Sequence, residues 1–338
     1  MTTVAVRVRH EGEVGEARRM AVAAASRLGF SEEVRGKVAL VATEAARNLA
    51  LHAQEGEVII TDLDVGGVGG VELLALDKGP GMADVEKCLR DGYTTAGTGG
   101  VGLGAISRMS SVFDIHSLPG IGTALLARLW AAPLPRVLAD RLEVGVVNVP
   151  KPGEEVCGDG WCVLAQGLRP RVLVCDGLGH GPGAATASLE AARLFYARPE
   201  LELTEWIRAA HDALRPTRGA ALAVAEIDLS ARRVRYAGVG NIVASILGGP
   251  QRQNLISLNG TVGAVLPQVQ AFEYSWPEGA QLIMHSDGLG TQWRMEKYPG
   301  LMGRNPSLVA GVLYRDFNRG RDDSTVLVLR ERKEEGGA

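Results

Sequence analysis

Apolar residues recur with two different spacings along the first 130 residues. Segment 14–28 and a segment that begins after Ser31 have helical spacing, and Ser31 followed by Glu32 and Glu33 is typical of a helix start. Shorter runs predict strands at 3–9, 58–65, 71–76, 112–118 and 123–130. Glycine-rich stretches between the second and third runs, and between the last two, predict hairpins.

Strand-like runs dominate the remainder of the chain. The stretch Ala131-Ala-Pro-Leu-Pro135 predicts a linker, because its two prolines break the pattern. Beyond it, a series of short apolar runs alternates with segments of helical spacing at 183–197, 203–214 and 306–317. Such an order favours two sheets with helices packed outside them. We therefore expect a mixed α/β (α+β) chain of two domains, residues 1–132 and 133–338.

Composition and charge exclude several classes of protein. The net charge of −3 is spread over interspersed acidic and basic residues, so no basic surface for nucleic acid is predicted. No run of about 18 apolar residues is present, so no membrane span is expected. The N-terminus lacks the apolar core of a signal peptide, which favours a cytoplasmic protein. The four cysteines form no Cys-x-x-Cys pair, which disfavours zinc.

The most informative chemical pattern is an acidic residue at the end of several strand-like runs. Val172-Leu-Val-Cys-Asp176 is followed by Gly-Leu-Gly-His-Gly, and a second apolar run ends at Asp287-Gly. Asp159 precedes another run, and Asp322-Asp323 opens the last one. A carboxylate beside a buried strand is costly unless a cation or hydrogen bonds compensate it. Four acidic positions at strand ends could converge on hard cations, and oxygen ligands suit Mg²⁺ or Mn²⁺.

A second pattern lies in the first half of the chain. Glu44 and Asn48 are four residues apart on one predicted helix, so they share a face. Three glycine-containing motifs follow in order: Asp77-Lys-Gly79-Pro-Gly81, Gly97-Thr-Gly-Gly-Val-Gly102-Leu-Gly104, and Gly122-Thr123. Backbone amides of a glycine-rich loop that opens a helix suit phosphate groups. Each motif alone is as consistent with a flexible turn, but the ordered set is a strong indication of a nucleotide site.

This ordered set resembles the ATP-binding domain shared by gyrase, heat-shock chaperones, histidine kinases and MutL proteins (GHKL). Over residues 1–130 it looks most like the anti-sigma-factor serine kinases, and within them the RsbT-like switch kinases. The resemblance implies a two-layer α/β sandwich that binds ATP. By this resemblance, Asn48 is a ligand of the ATP-bound magnesium and Glu44 is the general base. Asp77 binds the adenine with help from Thr123. The glycines of the pocket and phosphate lid are Gly79, Gly81, Gly102 and Gly104. No helical domain with a phosphoacceptor histidine precedes the set, which disfavours a histidine kinase.

The acidic residues follow the order found in metal-dependent serine/threonine phosphatases of the PPM type. The sequence from Asp176 to Gly181 resembles the sporulation stage II E (SpoIIE) branch, and in particular its RsbX-like members, as do Arg218-Gly-Ala-Ala and Ala237-Gly-Val-Gly-Asn. The resemblance covers about residues 136–330 and implies an α-β-β-α sandwich with two divalent ions. It makes Asp176 the bridging ligand, Gly177 a carbonyl ligand, Asp159 a ligand of one ion, and Asp287 with Asp322 ligands of the other. Asp323 could replace Asp322. His180 could protonate the leaving serine oxygen, or could cap a helix.

Together the resemblances predict a bifunctional regulator of a bacterial partner-switching pathway. The first domain would use ATP to phosphorylate serine or threonine in STAS-domain proteins, either anti-anti-sigma factors or stressosome-like proteins. The second would hydrolyse phosphoserine or phosphothreonine in the same protein class. One alternative is a phosphatase whose ATP-binding domain only senses nucleotide, although Glu44 argues mildly for catalysis. The other is a non-enzymatic anti-sigma-like binding module, against which the complete acidic set argues. A homodimer is left open.

Overall fold

The computed structural model describes residues 2–53, 55–90, 102–134, 141–165, 167–248, 252–266 and 268–332. The chain forms two compact units. Unit 1 comprises Met1–Ala139 together with Arg294–Arg315, and unit 2 comprises Asp140–Trp293 together with Asp316–Ala338. The predicted mixed α/β class is confirmed. Within the described ranges, no helix is both long and apolar enough to cross a membrane.

Unit 1 contains one antiparallel five-stranded sheet in the order β1-β2-β3-β5-β4. The elements of its continuous part are β1 (Thr3–Val8), α1 (Glu11–Arg27), α2 (Glu32–His52), β2 (Gly56–Val65), β3 (Val68–Asp77), α3 (Val85–Leu89), α4 (Gly102–Met109), β4 (Val112–Leu118) and β5 (Gly122–Trp130). Helix α2 begins where the sequence predicts, because the Ser31 hydroxyl accepts a hydrogen bond from the Val34 amide at 3.3 Å.

The core of unit 1 lies between one face of this sheet and helices α1 and α2. Alternate strand residues such as Leu73 and Leu125 point into it, and the helices contribute small residues such as Ala21, Ala42 and Ala45. Small side chains let a helix lie close to a sheet. Helix α2 is therefore a firmly packed element, with Glu44 and Asn48 at half-buried positions beside its buried stripe.

The other face of the sheet is covered by a segment from far downstream in the sequence. Helix α7 (Pro306–Phe317) lies against β3, and a Cβ atom on Gly311 would sit 3.0 Å from Leu76 Cδ2. The Ser307 hydroxyl donates to Glu72 Oε2 at 2.9 Å and accepts from Arg128 Nη2 at 2.7 Å. The predicted division at residues 132 and 133 does not anticipate this insertion. The helical spacing of 306–317 defines a helix but does not tell which core buries it.

Unit 2 contains two sheets. Its elements are β6 (Leu142–Val149), β7 (Asp159–Leu164), β8 (Arg171–Gly177), α5 (Pro182–Ala197), α6 (Leu203–Leu214), β9 (Ala220–Asp228), β10 (Arg233–Val239), β11 (Val243–Leu247), β12 (Gln253–Leu255), β13 (Ser257–Leu258), β14 (Phe272–Ser275), β15 (Gln281–His285) and β16 (Ser324–Glu331). One sheet has the order β13-β10-β9-β8-β7, with β14 paired to β10, and the other has the order β12-β11-β15-β16-β6. Inward residues of both sheets, such as Val174, Tyr236 and Met284, form one core between them.

Helices α5 and α6 cover the outer face of the first sheet. Phe195 of α5 and Trp206 of α6 meet edge to face with ring centroids 5.9 Å apart, above Leu173 and Val224 of the sheet. Segment 253–258 forms two short strands in different sheets, because β12 pairs with β11 whereas β13 pairs with β10. A single apolar run cannot reveal such a change of partner.

Glu72 of β3 is a buried charge beside α7, so the loss of its partner Arg128 should strongly destabilise the protein. In Arg128→Ala the Glu72 carboxylate, whose side chain is 3% exposed, loses the Arg128 Nε donor at 2.5 Å. Removing one partner of a buried pair leaves an uncompensated charge, so we expect the free energy of unfolding to fall by about 3 kcal/mol. Urea unfolding measures it. The control Arg27→Ala removes a pair with Asp62 in which the Arg27 side chain is 51% exposed, and should cost less than about 1 kcal/mol. Equal small losses in both variants would contradict the packing described.

Candidate active sites

The first candidate site is built on helix α2. Glu44 and Asn48 lie one turn apart on the same face, and both are half-buried. The Asn48 carboxamide makes no side-chain hydrogen bond to any other residue that the structure describes, so its oxygen is available to a ligand. Glu44 Oε1 lies 3.3 Å from Arg47 Nη1. The proposed base is thus partly engaged, whereas the proposed metal ligand is not.

Asp77 stands at the end of β3, beside helix α2. Its Oδ1 accepts hydrogen bonds from the Gly79 amide at 2.7 Å and the Thr123 amide at 3.3 Å. Burial raises the pKa of Asp77, and these two hydrogen bonds oppose that rise. A Cβ atom on Gly79 would lie 2.6 Å from the His52 carbonyl oxygen, one helical turn beyond Asn48. The structure therefore brings Asp77, Gly79 and Thr123 to the same end of the helix as Asn48.

Two glycines beside Asp77 are required by close backbone approach. Gly81 has φ of +67°, and a Cβ atom there would lie 2.0 Å from the Leu118 carbonyl oxygen. Gly122 has φ of +124°, and its Cβ would lie 2.0 Å from the carbonyl oxygen of Asp77. A residue missed by the sequence analysis, Ser117, joins these loops, since its hydroxyl accepts from the Met82 amide at 2.8 Å and lies 2.9 Å from Thr123 Oγ1.

The predicted phosphate lid can be followed only in part. Gly102 and Gly104 lie in the first turn of α4, where Gly104 is buried and a Cβ built on Gly102 would meet no described atom within 4 Å outside the nearby helix backbone. Residues 91–101, which include the Gly97-Thr-Gly-Gly part of the motif, are outside the described residues. The lid role of this loop stays a prediction.

The second candidate site is centred on a pair of acids in unit 2. Asp159 of β7 and Asp176 of β8 are direct partners across the antiparallel ladder. Like charges placed directly opposite one another destabilise a sheet. Burial raises the pKa of both carboxyl groups, and the neighbouring carboxylates reinforce the rise. This pair concentrates carboxyl groups at one place, and among the described residues neither of them forms an ion pair with a Lys, Arg or His side chain.

Residues of the second sheet complete the acidic group. The Ser286 hydroxyl donates to Asp159 Oδ2 at 2.6 Å and accepts from the Thr325 amide at 3.0 Å, which joins the ends of β15 and β16 to β7. Asp287 and Asp322 both raise the pKa of Asp176 by their negative charge. All four acidic positions predicted from the sequence are therefore close enough to interact at one place.

The adjacent acids Asp322 and Asp323 have different environments. Asp323 is buried, and its two carboxylate oxygens accept from the Lys151 amide at 2.8 Å and the Gly158 amide at 3.0 Å. Asp322 is half-buried, and only its Oδ1 accepts a hydrogen bond, from the Asp323 amide at 3.0 Å. Asp323 therefore fixes the 151–158 loop, while Asp322 keeps an oxygen free of partners among the described residues.

Two further polar residues contact this region. The Asn241 amide donates to Asp287 Oδ2 at 2.7 Å, a role that the sequence analysis missed although it noted the Gly-Asn motif. His180 Nδ1 lies 2.6 Å from Glu154 Oε1, and both side chains are partly exposed. His180 is thus held by Glu154, and its predicted role as an acid stays untested. Gly177 lies at the end of β8, and a Cβ there would sit 2.2 Å from the Ala184 carbonyl oxygen.

The chemistry of the acidic group fits hard divalent cations. All the candidate ligands are oxygens, which Mg²⁺ and Mn²⁺ prefer. In the ranges that the structure describes, no three Asp, Glu, His or Cys side chains form a ready-made cage for one ion. Asp159, Asp287 and Asp323 instead direct carboxylate oxygens to hydrogen-bond donors of the protein. Ion binding therefore requires some of these side chains to turn toward a common centre.

Comparison with known proteins decides the family. A model described as the histidine kinase-like ATPase domain matches residues 7–129, and one described as stage II sporulation protein E (SpoIIE) matches residues 167–332. The serine/threonine-protein kinase RsbT of Bacillus subtilis (strain 168) is 33% identical over 125 residues, which are 37% of this chain and 94% of RsbT. The chain belongs to the RsbT family in its N-terminal part, fused to a SpoIIE-type phosphatase domain.

The chain is also similar to a phosphatase and to a solved structure. The phosphoserine phosphatase RsbX of the same organism is 25% identical over 152 residues, which are 44% of this chain and 76% of RsbX. A solved structure from work on the bacterial stressosome has a TM-score of 0.53 and 29% identity, and covers 56% of this chain and 99% of that chain. The predicted fusion is confirmed, and with it the assignment of the chain to the protein serine/threonine phosphatases, joined to a kinase-type ATP-binding domain.

The geometry around α2 predicts how two variants affect ATP binding. Asn48→Ala removes the free carboxamide and Asp77→Asn replaces an acceptor by a donor, so each should weaken Mg–ATP binding by about 10-fold or more. Titration calorimetry measures the affinity. The control Asp62→Asn changes an acid that pairs with exposed Arg27, and should bind ATP like the wild type. Unchanged affinity in both site variants would refute the nucleotide site.

Proposed function

We propose that the chain is a bifunctional regulator of a bacterial partner-switching pathway. Its RsbT-like domain would transfer phosphate from ATP to serine or threonine of a STAS-domain protein, and its SpoIIE-type domain would hydrolyse phosphoserine or phosphothreonine in that protein class. The observation that carries the proposal is that acids of two sheets lie at neighbouring strand ends: Asp159 pairs with Asp176, Ser286 beside Asp287 contacts Asp159, and Asp323 contacts Gly158. The relationship to RsbT and RsbX supports the pairing of opposed activities. The cytoplasm is the expected location.

In the phosphatase domain, the proposed ligands are the acids that lie together at the strand ends. Asp176 would bridge two Mg²⁺ or Mn²⁺ ions, Asp159 and the Gly177 carbonyl would complete one shell, and Asp287 with Asp322 would serve the other. When bound, such an ion pair supplies a hydroxide for in-line attack on phosphorus. Asp322 is preferred over Asp323 because both oxygens of Asp323 already accept backbone hydrogen bonds.

Other residues of this domain would orient the ligands. Ser286 holds Asp159 by its hydroxyl, and Asn241 holds Asp287 by its amide. Such partners fix the direction of carboxylate oxygens and usually matter for metal affinity. The Glu154–His180 pair lies at the start of α5. There, His180 could supply a proton to the leaving serine oxygen once a substrate is bound.

In the kinase domain, catalysis would rest on positioning and on one proton acceptor. Asn48 would hold the magnesium of ATP, and Asp77 would accept the adenine amino group while the Thr123 amide keeps the carboxylate in place. Glu44 would accept the proton of the substrate hydroxyl. Arg47 lies 3.3 Å from Glu44, so the base must be released from this contact when substrate binds.

A second candidate function, in which the ATP-binding domain senses nucleotide for the phosphatase, is favoured by one observation. Segment 294–315 begins seven residues after Asp287 and ends seven residues before Asp322, yet it packs within unit 1. Its last residue, Arg315, donates to the carbonyl oxygen of Asp77 at 3.0 Å. Both proposed ligands of one ion are therefore joined by short stretches of chain to a segment that touches the adenine-binding residue.

The two proposed activities oppose each other, so two variants should act in opposite directions. With ATP, Mg²⁺ and Mn²⁺ present, Glu44→Ala should lower the steady-state phosphorylation of a STAS-domain partner, because only hydrolysis remains. Asp176→Asn should raise it, because transfer continues without hydrolysis. Phosphate-affinity gels measure the level. Glu33→Ala, which removes an exposed partner of Lys37, is the control.

The outcome also separates the two candidate functions. Opposite shifts support the bifunctional enzyme. If no phosphate reaches the partner from ATP with either the wild type or Asp176→Asn, while the wild type still hydrolyses a partner phosphorylated beforehand, transfer does not occur and the sensor function is the better account. If neither variant moves the level, or both move it in the same direction, the opposed activities are refuted.

A further inference from the structure

Arg218 occupies an unusual position beside the metal-binding acids. It lies in the turn between α6 and β9, and its side chain is exposed. Among the described residues it makes no ion pair and no side-chain hydrogen bond, whereas the nearby Arg215 pairs with Asp212 at 3.2 Å. A guanidinium group with five donors and no acceptor inside the protein is available to a ligand.

The turn that carries Arg218 is held on both sides. The Thr217 hydroxyl donates to the Leu214 carbonyl oxygen at 2.7 Å and accepts from the Gly219 amide at 3.0 Å. Gly219 has φ of +83°, a conformation that disfavours other residues. The backbone of Arg218 is therefore fixed even though its side chain has no hydrogen-bond or ion-pair partner in the described ranges.

The guanidinium group lies on the glycine-rich turn that follows Asp176. A Cβ atom on Gly183 would sit 2.6 Å from Arg218 Cζ, and one on Gly179 would sit 3.0 Å from Arg218 Nη1. The two glycines leave the room that this side chain fills. Asp176 pairs with Ala221 in the β8–β9 ladder, three residues from Arg218, so the cation and the acids share one edge of the sheet.

Apolar side chains are exposed beside the same turn. Leu178 is 42% exposed and Val265 is 63% exposed. The Leu178 amide donates to the Gly219 carbonyl oxygen at 3.0 Å, and a Cβ on Gly219 would lie 2.8 Å from the Val262 carbonyl oxygen, in the loop that carries Val265. An unpaired cation flanked by exposed apolar residues complements a phosphorylated segment of a protein better than a small phosphate ester.

We propose that Arg218 binds the phosphoryl group of a phosphoserine in the protein substrate, while Leu178 and Val265 contact the polypeptide around it. This inference rests on the proposed phosphatase function. Guanidinium groups bind phosphate through two parallel hydrogen bonds, which gives both affinity and orientation. Two ions and Arg218 would then hold different oxygens of one phosphoryl group.

The test compares the wild type with Arg218→Ala, Arg218→Lys and Arg215→Ala in the full chain loaded with Mn²⁺. Arg218→Ala should lower kcat/KM for a phosphoserine peptide by about 10- to 100-fold, the loss typical of a hydrogen bond to a charged group. Arg218→Lys should recover part of it, because lysine keeps the charge without the planar fork. Arg215→Ala should match the wild type. Val265→Ser should raise the KM for the peptide, because it removes an apolar contact with the polypeptide.

A binding measurement separates this inference from the function on which it rests. Inorganic phosphate should bind Mn²⁺-loaded Arg218→Ala about 10-fold or more weakly than the wild type, with Mn²⁺ affinity unchanged. Equal phosphate affinity and equal peptide hydrolysis in the two proteins would overturn the role of Arg218 and leave the phosphatase intact. Absence of hydrolysis by the wild type would overturn the phosphatase, and the phosphate affinities would still decide whether Arg218 binds the anion.

Discussion

The pairing of Asp159 with Asp176 across adjacent strands is the constraint on which the proposed phosphatase site depends. A buried and a half-buried carboxylate in this position raise the free energy of the sheet unless cations or hydrogen-bond donors face them. The protein supplies the Ser286 hydroxyl to Asp159, and it surrounds the pair with glycines. At Gly158, a Cβ atom would lie 2.6 Å from the Ala184 side chain and 2.7 Å from Asp323 Oδ2. The close backbone packing brings the acids together, and the cations would offset their repulsion.

Much of the fold follows from the sequence, because helical spacing and strand alternation report local structure directly. The helices at 203–214 and 306–317 have the predicted ends, and Ser31 caps its helix. The spacing of apolar residues does not reveal which distant elements pair with one another. The change of sheet between β12 and β13 and the packing of α7 on β3 depend on tertiary contacts that no local period encodes.

The candidate sites, like the fold, could be predicted from the sequence only in part. Acids at strand ends are visible in the sequence, but the direct opposition of Asp159 and Asp176 needs the strand register. The choice between Asp322 and Asp323 needs the backbone donors that occupy Asp323. Arg218 could be singled out only as part of a motif, since an arginine without a partner looks like any other in a sequence. The insertion of 294–315 in unit 1 also means that cutting the chain at the linker would strip the sheet of unit 1 of its second layer.

The central claim is that the four acidic positions form a site for divalent cations independent of the nucleotide site. Equilibrium dialysis of the full chain with Mn²⁺ at neutral pH, without nucleotide, tests it most directly. We predict about two ions per chain, as in two-metal hydrolases. Asp176→Asn should lose at least one of them, and Asn48→Ala should bind as many as the wild type. Failure of the wild type to bind Mn²⁺, or equal binding by Asp176→Asn, would contradict the account.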